Sequence, residues 1–236
     1  MSKTRKSVCQ YDWNLQAVIT LIKKAIAIKE EALADISKYH VFVAPTNRKG
    51  APCSVSTIPG HNCPNCKFCI RSCYAIRHCI INPGCMKRAA ENSAILQADP
   101  ERFFREVSGT CKSLDKFRWF VSGDVDSIRT FEGIIQVAIE NPHCRFHLFT
   151  KNHKVINHWL DIGNKIPSNL HLRLSEWPGM PTHNPYNLNL CSIYDADEFF
   201  EVHDGEAICS GNCTDCSIHN TGCFDRNIKR VWIAKH

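Results

Sequence analysis

The 236-residue chain lacks most of the features that place a sequence quickly. No run approaches the roughly eighteen apolar residues that a membrane helix needs, so no membrane contact is expected. The basic stretch MSKTRKSVCQYDWN at the N-terminus leads into no apolar h-region, which argues against a secretory signal and for the cytoplasm. There is no internal repeat and no low-complexity tract. No Ser/His/Asp triad, phosphate loop or dinucleotide fingerprint can be defended, which leaves those enzyme classes without support. The formal net charge is +6, with Lys and Arg at both ends, but it is not laid out as a stripe interleaved with aromatics. A solvated surface is therefore the default reading, and contact with polyanions is only mildly favoured.

What the chain has in excess is cysteine, fifteen in all. A reducing cytosol disfavours structural disulfides, and an odd number cannot all pair within one chain. Cys63, Cys66, Cys69, Cys73, Cys79 and Cys85 form one cluster; Cys209, Cys213, Cys216 and Cys223 form a second. Clustered thiols in this setting read as metal ligands. Cys9, Cys53, Cys111, Cys144 and Cys191 are scattered, and the plain reading of a scattered cysteine is a small buried hydrophobe. In the first cluster Cys63-x2-Cys66-x2-Cys69-x3-Cys73 is too continuous for a zinc ribbon, which spaces two CxxC pairs well apart. One tight loop of this kind suits an iron–sulfur cluster better. The second, Cys209-x3-Cys213-x2-Cys216-x6-Cys223, fits either one zinc ion or a second iron–sulfur cluster. Four thiolates close the coordination there, which points to structure or electron transfer rather than substrate binding. His203 and His219 stand nearby as replacement ligands, although a lone histidine beside cysteines is more often a surface residue.

The rest of the chain alternates. Residues 14–36 carry Leu15, Val18, Ile22, Ile26, Leu33 and Ile36 near one face of an amphipathic helix. YHVFVAP reads as a short strand, and residues 45–85 as irregular backbone wrapped around a centre. MKRAAENSAILQA is helical, and Asp99 followed by Pro100 caps the next helix. KFRWFVSGD, CRFHLFTKN and NLHLRLSEW read as strands, separated by a helix capped by Ser127 and by the helix HKVINHWLDIG. LNLCSIYDA and FFEVHDGEAIC are further strands. Such alternation makes right-handed crossovers and a parallel sheet. The expected fold is α/β, a partial (β/α) barrel of parallel strands, with an N-terminal helix (1–40), the barrel with the first cysteine cluster (41–187) and a C-terminal cysteine-rich segment packed on it (188–236).

Ligands of parallel sheets bind beyond the C-terminal strand ends. Three polar peptides fall there: Ser122-Gly123-Asp124, Thr150-Lys151-Asn152 and Ser175-Glu176-Trp177. Each alone is explained by turn or cap chemistry; the three at equivalent positions point to a shared site. His147 and His171 lie on strands and read as packed or hydrogen-bonded histidines.

The series TNRKGAPCSVSTIPGHNCPNCKFCIRSCYA, KFRWFVSGDV, HLFTKN, NLHLRLSEWPG and CSGNCTDC resembles the phage-type gene product 88 domain family over about residues 41–224. If phage-encoded, the protein would act in the host cytoplasm. The pattern is similar, more distantly, to radical S-adenosylmethionine enzymes. That likeness implies a [4Fe–4S] cluster held by Cys63, Cys69 and Cys73, with one iron left open for S-adenosylmethionine. It implies Ser122, Gly123 and Asp124 at the methionyl amine, and Lys151 or Arg173 at the carboxylate; Thr150 and Ser175, read from the strand ends, join the same candidate cofactor-binding set. The usual spacing, however, is C-x3-C-x2-C, and Cys66 is an added thiol that would close the open iron if it bound there. Three functions follow: a radical enzyme with an electron donor and an unknown small-molecule or macromolecular substrate; a non-catalytic iron–sulfur protein for electron transfer or regulation; and a zinc protein associated with nucleic acid.

Overall fold

The structure is a computed structural model, and it describes residues 14–47, 49–195 and 201–235. Cys9 and the first residues of FFEVHDGEAIC lie outside the described residues. Eight strands form one sheet: β1 (Val43–Ala44), β2 (Cys53–Val55), β3 (Lys116–Trp119), β4 (Arg145–Thr150), β5 (Leu170–Glu176), β6 (Leu190–Tyr194), β7 (Glu206–Ile208) and β8 (Arg230–Ala234). Their order is β1-β2-β3-β4-β5-β6-β8-β7. Only β1 runs antiparallel to its neighbour; every other pairing is parallel. The α/β class and the parallel strands agree with expectation. The sheet is open, since β1 and β7 end it without pairing to each other, and the architecture shown is an open, mostly parallel sheet with helices.

The helices are α1 (Leu15–Ala34), α2 (Tyr74–Ile81), α3 (Pro83–Ala98), α4 (Pro100–Cys111), α5 (Ile128–Glu140), α6 (His153–Asp161) and α7 (Cys213–Ile218). Local chemistry explains their starts. The Asp99 side chain accepts from the Arg102 N–H, with Pro100 in the first turn of α4, and Ser127 accepts from the Thr130 N–H to start α5. Phe103, Val107, Phe131 and Ile134 of α4 and α5 share one core with Phe117, Trp119, Phe146, Leu148, Leu172 and Leu174 of β3–β5. Since strand side chains alternate, the face away from α4, α5 and α6 receives Lys116, Arg118, Arg145, His147, His171 and Arg173. That face is covered too: Phe224 packs its ring against His147 at 4.4 Å, and Arg173 is 2% exposed.

Residues 45–85, expected to be irregular, contain β2, α2 and two single-turn 3-10 segments at Cys66–Phe68 and Ile70–Ser72. A three-residue strand inside a cysteine-rich loop carries too short an alternation to be read locally; it exists because β3 pairs with it. Helix α1 packs on α3, but around Val18, Ala25, Lys29 and Ala32, leaving Leu15 40% exposed. Small Ala25 and Ala90 meet there, beside Ile58, Cys79 and Met86. The basic C-terminus becomes β8, inserted between β6 and β7.

Candidate functional site

The first cysteine loop lies against the C-terminal ends of β3 and β4. Beyond β3 the backbone turns through Phe120 (φ 48°) and Gly123 (φ 82°). The peptide between is stitched to the chain after β2: the Thr57 N–H donates to Ser122 O (3.0 Å), and the Ser122 hydroxyl donates to Thr57 O (2.8 Å). A side chain at position 123 would place its Cβ 1.8 Å from Thr57 Oγ1, so glycine is required by space as well as by φ. Asp124 is 5% exposed, and its carboxylate accepts from the Val125 N–H (2.7 Å) and the Lys151 N–H (2.9 Å). It thereby ties the end of β3 to the end of β4. Burial pushes its carboxyl up, against the opposing pull of Lys151 and Thr150.

The loop is docked by side chains on either side. The Asn65 amide donates to Lys151 O (2.6 Å), and the Tyr74 hydroxyl donates to Val121 O. The Gly60 N–H points at Cys63 Sγ (3.4 Å). Burial raises the Cys63 thiol; Asp124 adds to this, while the Gly60 N–H and Lys151 oppose it and Cys73 lies in the same field. Burial pushes Cys69 up to about 11, against Lys151, with Cys73, Cys66 and Asp124 also acting on it. Burial alone would lower the Lys151 ammonium, but Cys69, Asp124, Cys63 and Tyr74 outweigh it and hold it charged. Lys151 also lies 5.6 Å from the Trp177 ring centroid. The structure therefore brings Cys63, Cys69, Cys73, Asp124 and Lys151 into one neighbourhood, with Cys66 at its border.

The other strand-end residues have local duties. Thr150 Oγ1 accepts from the Asn152 N–H, and Ser175 O lies 3.0 Å from His153 Nε2. Arg173 is not at the first cysteine loop. Its guanidinium donates to Leu190 O (3.4 Å), Ile228 O (2.8 Å), Gly222 O (3.2 Å) and Asp225 O (3.0 Å), which places it with the second cysteine group.

That second group lies over the polar face of the sheet. The Cys209 N–H donates to Trp232 O (2.8 Å), and Lys49 O accepts from the N–H groups of Cys213 and Thr214 (2.9 and 3.1 Å). Gly50 is needed beside it: at φ 70° its Cβ would stand 2.7 Å from the Thr214 backbone nitrogen. Lys116 Nζ donates to Ser217 Oγ (2.7 Å). Burial pushes Cys223 up to about 12, opposed by Arg173, with Cys209 and Cys213 adding to it. Burial brings the His171 imidazole down to about 4. One residue of this group escaped the motif reading. Cys191, on β6, is 3% exposed and pushed up to about 12 by burial, with Cys223 and Cys209 in its field. Eighteen residues from Cys209 in sequence, it carries no spacing that would join it to the others.

The described cysteines are all free thiols, and among the described residues no group of three or more His, Cys, Asp or Glu is gathered in a way that could hold a metal ion. No helix among them is long and apolar enough to cross a membrane. The family model for gene product 88 matches residues 20–179, more than half of the chain. The chain belongs to the gene product 88 family. The match takes in most of α1, which the motif series had left outside the family, and ends before the C-terminal cysteines, which that series had included. No curated protein and no solved structure matches the chain.

Proposed function

We propose that this member of the gene product 88 family is an iron–sulfur protein of radical S-adenosylmethionine type. The observation that supports it is the grouping of Cys63, Cys69 and Cys73 with Asp124 and Lys151 beyond the ends of β3 and β4. The donor set suits such a group. The Cys63, Cys69 and Cys73 thiols are half-buried, and one ammonium, that of Lys151, stands among them as a counter-charge. The thiols share a neighbourhood without converging on a point. A cluster, which brings its own sulfide and spreads its thiolates, suits that spacing better than a single zinc ion.

When bound, the cluster would supply one-electron reduction, the chemistry by which radical enzymes cleave S-adenosylmethionine. The chain's own residues would do the rest. Lys151 would offset thiolate charge and pair with a substrate carboxylate. Asp124, its oxygens already accepting from Val125 and Lys151, would hold the two strand ends in register rather than act on a proton. Gly123 would keep the peptide after β3 packed on Thr57, and Trp177 would shield Lys151 from water.

Protein purified without oxygen, reduced and given S-adenosylmethionine, is expected to hold iron and acid-labile sulfide and to release 5′-deoxyadenosine. Clusters present but no 5′-deoxyadenosine would leave the electron-transfer or regulatory reading, for which Cys66 beside Cys69 is the specific support. In that case Cys66→Ala would disturb the cluster as much as Cys69→Ala. A colourless protein holding zinc, with salt-sensitive binding to DNA or RNA, would replace both readings.

A further inference from the structure

The sheet has a notch on the side of β5 that meets β6. Their pairing begins only at Leu174↔Leu190, so Leu170–Arg173, the first residues of β5, have no strand beside them there. The Leu174 N–H donates across to Asn189 O (2.9 Å). By the alternation of a parallel ladder the Leu172 N–H points to the same side, where β6 has not begun. The notch opens into a cleft of about 230 Å³. A cavity of roughly 150 Å³ already holds benzene, so a small organic molecule fits.

The charge on its walls is of one sign. Arg173, Arg226 and Lys229 line it together with His171, and no acidic side chain among the described residues does. The Asp225 carboxylate, next along the chain, accepts from the Asn227 N–H (2.8 Å). Arg226 and Lys229 are exposed, whereas Arg173 is 2% exposed. The Nη groups of Arg173 reach four carbonyls, but its Nε has no partner among the described residues, and neither has the buried His171 Nδ1. Such unpaired buried atoms are rare, and a buried guanidinium is costly unless an anion faces it. Three cations exceed what one carboxylate balances and suit a phosphoryl dianion. Ile166 and Leu188 add an apolar wall.

We propose that the notch between β5 and β6 binds a small phosphate monoester. The phosphoryl group would lie among Arg173, Arg226, Lys229 and His171, and the carbon part against Ile166 and Leu188. The cleft sits at the start of β5, at the opposite end of the strands from the first cysteine loop, and the proposal does not rest on the metal reading of either cysteine group. A bound ester would tie β5 to the segment Arg226–Lys229, which leads directly into β8.

The test is isothermal titration calorimetry of the full chain, purified without oxygen, with phenyl phosphate, inorganic phosphate and benzoate as probes. Phenyl phosphate is expected to bind saturably and most tightly. Inorganic phosphate, without the apolar part, and benzoate, with a single negative charge, are expected to bind more weakly. Arg226→Gln with Lys229→Gln is expected to weaken phenyl phosphate about tenfold, since two rim cations are removed. Lys112→Gln with Arg129→Gln, the same change of charge on α4 and α5, is expected to leave binding unchanged. Arg173→Lys is expected to abolish binding, with far-ultraviolet circular dichroism reporting the fold; the rim pair decides the matter even if that chain does not fold. No saturable binding of phenyl phosphate would overturn the proposal. So would an equal loss in both pairs, which marks a general charge effect, or a loss in neither, which places the anion elsewhere, as on iron. Benzoate binding as tightly as phenyl phosphate would overturn the phosphoryl assignment, and inorganic phosphate binding as tightly would overturn the ester.

Discussion

Gly123 and Arg173 each answer to a constraint that their neighbours in sequence do not reveal. At Gly123 both the left-handed backbone and the closeness of Thr57 forbid a side chain. Gly123→Ala is therefore expected to cost about 1–3 kcal/mol, read as a lowered thermal midpoint in calorimetry. At Arg173 the planar fork reaches four carbonyls, one on β6 and three between Gly222 and Ile228, which a lysine ammonium cannot do. Arg173→Lys keeps the charge but strands most of those carbonyls, with an expected loss of about 2–3 kcal/mol in urea unfolding. Tyr74 belongs at this scale as well. Its hydroxyl on Val121 O explains why the cysteine run ends in Cys-Tyr-Ala: the tyrosine fastens the loop to the chain leaving β3.

Among the elements, helix starts and the larger strands follow from short-range chemistry, and the joints between elements do not. Asp99→Ala removes the acceptor for the Arg102 N–H and is expected to cost about 1 kcal/mol, measurable by denaturant titration. Asn92 on α3 does a joint's work. Its side chain accepts from the Phe42 N–H and donates to Phe42 O and Ser56 O, holding the chain around β1 and β2 onto the helix. Asn92→Ala would leave three backbone groups without partners. The expected cost is about 2–3 kcal/mol, with faster hydrogen exchange in residues 42–57 as the local readout. The cap was legible in the sequence because Asp-Pro before an apolar run is a local pattern. The joint was not, because Asn92 and Phe42 are fifty residues apart.

For the whole molecule, a sheet covered on both faces buries histidines that would otherwise be wet. Burial lowers the imidazoles of His147 and His153 below the ordinary value of 6.5, His147 well below it with His171 adding to the effect. The unfolded chain therefore takes up protons before the folded chain does. Stability from these groups is complete above pH 6.5 and falls as the pH drops from there toward the depressed folded values. The thermal midpoint is expected to decline between neutral pH and pH 5, and His147→Gln to decline less steeply; parallel profiles would show that His147 is not responsible. The polar face that buries His147 also receives Arg118, Arg173 and the second cysteine group, so acid sensitivity and the C-terminal cysteines are properties of one interface.

The sequence by itself determined the run of helices and strands from Asp99 to Glu176, the caps at Asp99 and Ser127, the polar peptides at the strand ends and the two cysteine loops. All of these rest on alternation, capping and spacing within a few residues, where local chemistry acts. Only the tertiary structure decided that Cys53–Val55 is a strand beside β3, that the basic C-terminus slips between β6 and β7, and that the sheet stays open. It alone moved Arg173 from the first cysteine loop to the second group and brought Cys191 into that group's company. Pairing and burial are made between residues far apart along the chain, and no spacing within either segment records the partner it will meet.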